Sequence, residues 1–143
     1  MGNRCVITTE DHEIGIYMHW NGSPNDVATF LRYCELANYR SPETDCYGWA
    51  RLCQVLGNYF DDGLSVGIDI IKRLDCENFD NGTYVIKDWS IIDREFTAST
   101  DYGRIDKRLL ASIDAAQPIR ILDNFGNLKG DTENGNKFSP TEI

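Results

Sequence analysis

The sequence predicts an α+β domain: a mainly antiparallel sheet of about five strands with two to three helices packed on one face. Three observations carry this expectation. Runs of period two stand at residues 4–20 and again at 64–96. Between them lies Asp45–Phe60, DCYGWARLCQVLGNYF, the longest stretch of helical period. Shorter helical patterns precede it and close the domain, giving the order ββααβββα.

Each element has a local reason. Arg4–Thr9 is short and β-branched and reads as a strand. Ile14–Trp20 alternates, with Ile14, Ile16, Met18 and Trp20 on one face and Gly15, Tyr17 and His19 on the other. The polar turn at Asp11-His12-Glu13 makes the pair an N-terminal hairpin. Ser23 is the expected N-cap of the next helix, Pro24 its first residue and Asp26 a first-turn acid. Its buried face is Val27, Phe30, Leu31, Cys34 and Ala37.

The helix over 45–60 is expected at the centre. Cys46, Trp49, Ala50, Cys53, Gly57 and Phe60 share a face that Leu52, Leu56 and Tyr59 widen, and so broad an apolar arc calls for packing on most sides. Asp45 is its N-cap. Gly48 and Gly57 each cost about 1 kcal/mol against Ala in a helix interior, which suggests close approach by another backbone. Leu64–Leu74 reads as a strand, residues 75–82 (DCENFDNG) as an acidic loop, Thr83–Ile86 and Trp89–Phe96 as two strands around Lys87-Asp88, and Arg104–Ala116 as a last helix ended by Pro118. Residues 1–118 thus form one domain, and 119–143, rich in Asn, Gly, Asp and Thr, are expected to be a polar, mobile tail.

Totals narrow the function classes. The 143 residues carry a formal charge of −9, from 23 acids and 14 bases. That balance speaks against direct binding of a nucleic-acid backbone, which needs clustered Lys and Arg. It permits an acidic surface docking on a basic groove of another protein, while the plainer reading is solubility. No apolar run approaches the roughly 20 residues that span a bilayer, and MGNRCVITT lacks the basic region and apolar stretch of a secretory signal. Five cysteines, at irregular spacing, argue against a disulfide framework.

Four constellations could carry chemistry. Asp45-Cys46-Tyr47-Gly48-Trp49 places a thiol at a helix N-terminus, where a nucleophile is well sited. It resembles the D-C-x-G helix start of the NlpC/P60 cysteine peptidases. The order there is Cys before His, whereas His12 and His19 both precede Cys46, so only a permuted dyad of Cys46 with His19 as base would serve. Metal sites find no C-x2-C pair, and a mixed set from Cys34, Cys46, Cys53 or Cys76 with His12 or His19 stays open. Residues 61–101 hold ten acids against four bases, and Asp61, Asp62, Asp69, Asp75, Glu77, Asp80 and Asp88 are the expected partner-binding residues. Set on one face or edge they would imitate a row of phosphates, while edge protection of a sheet is the structural alternative. Finally, His19-Trp20-Asn21-Gly22 forms an aromatic and imidazole patch or simply a strand end. No Walker loop, G-x-G-x-x-G, G-x-S-x-G or basic helix-turn-helix occurs, and no cofactor is implied.

MGNRCVITT, GIYMHWNGSPNDVATFL and YGWARLCQVLGNYF followed by LSVGID together resemble a family of small, uncharacterised proteins of phages, prophages and mobile elements of Gram-positive bacteria. The resemblance covers about residues 1–95 and transfers no catalytic motif. It departs from the family where Gly22-Ser23 stands for a Gly-Gly, and where Tyr59-Phe60-Asp61-Asp62-Gly63 stands for F-F-G-G. The resemblance implies a phage anti-defence protein acting in the host bacterial cytoplasm, of the anti-CRISPR kind that binds Cas9 and blocks nucleic-acid loading or cleavage through an acidic surface. The alternatives are the Cys46–His19 hydrolase and a phage accessory protein with an unrelated partner.

Overall fold

A computed structural model describes residues 2–61 and 64–129. The chain runs β1 (Cys5–Thr8), β2 (Ile14–Met18), α1 (Pro24–Leu36), α2 (Cys46–Phe60), β3 (Val66–Ile70), a 3-10 turn (Ile71–Arg73), β4 (Thr83–Lys87), β5 (Ser90–Glu95) and α3 (Lys107–Ala116). The strands form one open sheet in the order β3-β2-β1-β4-β5. Every neighbouring pair is antiparallel except β1 with β4. This is the α+β architecture that the element pattern predicts.

The expected hairpin forms with Cys5 opposite Met18 and Thr8 opposite Gly15. Its register sorts the side chains. Cys5, Ile7, Ile16, Met18, Tyr84 and Ile86 enter one core with Phe30, Leu31 and Cys34 of α1, Leu52, Val55 and Leu56 of α2, and Leu109, Leu110 and Ile113 of α3. Val6, Thr8, Gly15, Tyr17, Thr83 and Val85 share the opposite face. Val6 and Thr8 are nonetheless fully buried, because the chain between β3 and β4 crosses that face. Ile71 and Leu74 lie over Gly15, and Thr83 Oγ1 donates to the Cys76 carbonyl at 3.0 Å.

The strand expected over 64–74 is therefore shorter than its pattern. β2 offers partners only as far as Ile14, opposite Ile70. Ile71 N–H makes one more bond, to the Glu13 carbonyl, and the chain then turns across the sheet. The apolar residues Ile71 and Leu74 lie beyond the alternation, which ends at Ile70, and pack onto the back of the sheet. The last helix begins at Lys107, because Asp106 caps it by accepting from Leu109 N–H at 3.1 Å. Asp45 caps α2 as expected, accepting from Tyr47 N–H and, at 2.8 Å, from Arg40. Ser23 is in the N-cap position of α1 without a side-chain cap bond.

Of the segment expected as a tail from 119, residues up to 129 are described, and Ile121 and Leu122 are part of the core. Asp114, fully buried, organises them. It accepts from Ile121 N–H at 2.7 Å, Leu122 N–H at 3.2 Å, Arg120 Nε at 3.0 Å and Tyr33 Oη at 3.3 Å. Burial first, and the Asp114 carboxylate second, push the Tyr33 phenol upward, so it stays a donor. Residues 130–143 lie outside the described residues.

The two helix glycines differ. A Cβ on Gly48 would lie 2.4 Å from the Ser41 carbonyl, whereas one on Gly57 meets nothing within 4 Å. Gly48→Ala should therefore destabilise by about 2 kcal/mol through forced separation of α2 from the 41–42 backbone. Gly57→Ala should stabilise by about 0.5–1 kcal/mol through helix propensity. Equilibrium urea unfolding checks both, and equal signs would contradict the assignment. In the same assay Asp114→Ala should cost about 3 kcal/mol or more, since it strands two buried N–H groups and a hydroxyl.

Candidate functional site

The loop between Asp75 and Gly82 is built around one side chain. Asn78 is fully buried beneath it. Its Nδ2 donates to the carbonyls of Asp75 at 3.0 Å, Cys76 at 3.3 Å and Gly82 at 3.0 Å. Its Oδ1 accepts from the N–H groups of Asp80 and Asn81 at 3.2 Å and Gly82 at 3.0 Å. A carboxamide suits this task because it alone offers two donors and an acceptor in one plane. Asp75 Oδ1 accepts from the Asn78 N–H at 3.1 Å and starts the turn.

The loop is also fastened to the start of β1. Asp80 Oδ2 accepts from Arg4 N–H at 3.0 Å and Arg4 Nε at 2.8 Å, and Asn81 N–H donates to the Arg4 carbonyl. From β5, Arg94 Nη2 donates to the Asn81 carbonyl at 2.9 Å. The hydrogen bonds from Arg4 hold the Asp80 carboxyl below its usual range. Their contribution to stability is fully present above that range and is lost below it, as pH falls through the lowered value.

This clamp has a consequence for Phe79. Asn78 and Phe79 take positive φ angles of 38° and 57°, a region costly for a bulky side chain. The result turns the Phe79 ring outward, 86% exposed, between Glu77 and Asp80. An aromatic side chain held in water by a hydrogen-bonded loop is the candidate feature that sequence reasoning missed. Its signal was a lone Phe among turn-forming residues, where nothing in a period of two or 3.6 demands it.

The other expected docking acids are dispersed. Asp61 follows α2 as its C-cap, and Asp69 lies on edge strand β3, where it accepts from the Ile70 N–H and meets Arg73 at 3.7 Å. Asp88 occupies the β4–β5 turn, its N–H bonded to Glu43. Only Asp75, Glu77 and Asp80 share the loop, and Asp75 and Asp80 are occupied in holding it. Asp62 lies outside the described residues.

Cys46 and His19 are not brought together. Cys46 opens α2 just past Glu43, whose carboxylate meets Asp88 beyond the end of β4. His19 lies at the other end of the sheet, beyond Met18 and Cys5, with its N–H bonded to the Ser65 carbonyl. The 15 residues of α2 alone span about 22 Å. Cys5 and Cys34 are buried thiols whose ionisation burial pushes up. Among the described residues no three His, Cys, Asp or Glu side chains gather as a metal site. At the strand end His19 contacts two aromatic rings, with Tyr17 Oη 2.9 Å from its Nδ1 and the Trp20 ring edge-on at 4.8 Å, which is compatible with both readings of that stretch. No helix among the described residues is long and apolar enough to cross a membrane.

Compared with family models, curated proteins and solved structures, the chain matches none.

Asn78→Ala should cost about 2–4 kcal/mol, because several loop amides and carbonyls lose their buried partner. Chymotrypsin should then cut after Phe79 faster in the variant than in the wild type. Unchanged melting and cleavage would show that the loop is held by something else.

Proposed function

We propose that this chain is a binding module of the mobile-element anti-defence type, which inhibits a host nuclease by occupying a basic groove, with guide-loaded Cas9 as the specific target. The single observation that carries this reading is Phe79, presented 86% exposed on the clamped acidic loop. Interfaces concentrate their energy in a few desolvated aromatic anchors, with polar residues at the rim. Phe79 supplies the anchor and Glu77 a rim charge. Complementary charge then accelerates encounter and selects a basic partner. Nucleases guided by RNA keep their nucleic acid in positively charged channels, which an acidic protein can enter in place of DNA. The net charge of −9 supports the same choice of partner. The separation of Cys46 from His19 favours inhibition by occupancy over hydrolysis.

Reversal of Asp75, Glu77 and Asp80 together would be a poor test, because a lysine at 80 would face Arg4 and one at 75 would undo the turn. Phe79→Ala and Glu77→Lys leave the clamp intact. In a DNA-cleavage assay with guide-loaded Cas9, wild type should inhibit, and inhibition should weaken as salt rises. Phe79→Ala should weaken it about 30-fold, the scale of a hot spot near 2 kcal/mol. Glu77→Lys should mainly slow association. Melting points should stay at the wild-type value. If wild type inhibits no Cas9 from a relevant host, the target is wrong. If Phe79→Ala inhibits as well as wild type, the loop is not the docking surface.

A further inference from the structure

The two edges of the sheet are finished differently. At β5, Tyr102 Oη donates to the outward Ile92 carbonyl at 3.1 Å and Asp93 Oδ1 accepts from the Arg94 N–H at 2.8 Å. At β3 the bonds from His19 N–H to Ser65 and from Ile71 N–H to Glu13 set the phase of the ladder. Residues 65, 67, 69 and 71 face β2, so Val66, Ile68 and Ile70 direct their N–H and C=O groups away from the sheet. Among the described residues only the Ile70 N–H has a partner there, the neighbouring Asp69 carboxylate at 2.7 Å. Among the described residues no strand lies beyond β3.

The side chains of the same residues are apolar and uncovered. Ile68 and Ile70, opposite Ile16 and Ile14, belong to the helix-bearing face, yet they remain 50% and 37% exposed. An open edge carrying exposed isoleucines is a template for another strand.

We propose that this edge pairs with a second copy of the chain, β3 against β3 in antiparallel register about a two-fold axis at Ile68. Three features of the strand select that occupant. The outward groups fall at 66, 68 and 70, so the register that pairs Ile68 with Ile68 and Val66 with Ile70 satisfies all three residues of each copy. That register sets Val66, Ile68 and Ile70 beside Ile70, Ile68 and Val66, one unbroken apolar stripe. It also sets Asp69 opposite Gly67, so no like charges confront each other. Asp69 of each strand also meets Arg73 of its own chain at 3.7 Å, which offsets its charge at the seam. Asp69 releases the Ile70 N–H as the partner strand arrives. Because the pairing uses the same edge of both copies, it closes as a dimer with a ten-stranded sheet.

The test is the mass of the full chain in solution, by light scattering at about 100 µM, a concentration suited to a small interface. Wild type should weigh about twice its 16.3 kDa. Ile68→Lys, which places like charges opposite each other on the axis, should be monomeric and still unfold cooperatively, at a melting point lowered only by the loss of the partner. Ile68→Cys under mild oxidation should give a disulfide-linked dimer. Mass spectrometry should map its link to position 68 of both copies, as the about 5.5 Å Cα separation of a hydrogen-bonded pair permits. A monomeric wild type, a dimeric Ile68→Lys, or a dimer whose oxidised Ile68→Cys variant lacks that linked peptide would each overturn the proposal. The outcome is independent of whether the Phe79 loop binds a nuclease.

Discussion

The parallel pairing of β1 with β4 is the constraint on which the rest of the structure depends. β3 lies two strands to one side of β1 and β4 lies on the other, so residues 71–82 must cross the sheet. The helices already occupy one face, which leaves the other. A crossing segment cannot join the ladder it covers, so its backbone groups need partners of their own. Asn78 provides several of them, and Arg4, Thr83 and Arg94 provide others. The buried carboxamide and the exposed Phe79 are therefore two ends of one solution: the turn that satisfies the strap from beneath leaves its next residue pointing outward.

The C-terminal segment solves a similar problem with a charge. Ile121 and Leu122 bring two apolar side chains to the core but also two N–H groups that no strand receives. One carboxylate, Asp114, accepts from both and from Arg120. A buried charge is favourable only with such full satisfaction, which ties the end of α3 to the chain that follows it.

Sequence patterns disclosed the elements whose causes are local. The period and cap of α2, the β1–β2 hairpin, the two last strands and the α+β class were legible because spacing and turn chemistry lie within a few residues of each other. Strand order was not, since the contact of Val6 with Thr83 joins residues far apart in the chain. Leu64–Leu74 was over-read as a strand because the apolar residues Ile71 and Leu74, which pack onto the sheet from behind, follow directly on the alternation of Val66, Ile68 and Ile70. Ile121 and Leu122 stood in polar surroundings that concealed the distant Asp114. Gly48 and Gly57 were indistinguishable as letters, although only Gly48 has a backbone against it. In the candidate site the acids were visible and Phe79 was not, because its exposure follows from the Asn78 clamp and not from any period.

What remains open to a partner follows from what the fold has closed. Helices cover one face, the strap covers the middle of the other, and Tyr102 and Asp93 each take one backbone group along β5. The strap and the β3 edge present the apolar groups Phe79, Ile68 and Ile70 to solvent. They differ in the partner they suit. Phe79 is a single exposed ring amid acids, with no backbone geometry for a partner to match. β3 is a line of outward peptide groups, most of them without a partner among the described residues, and another strand in register is what satisfies such a line. The two proposed contacts use no residue in common.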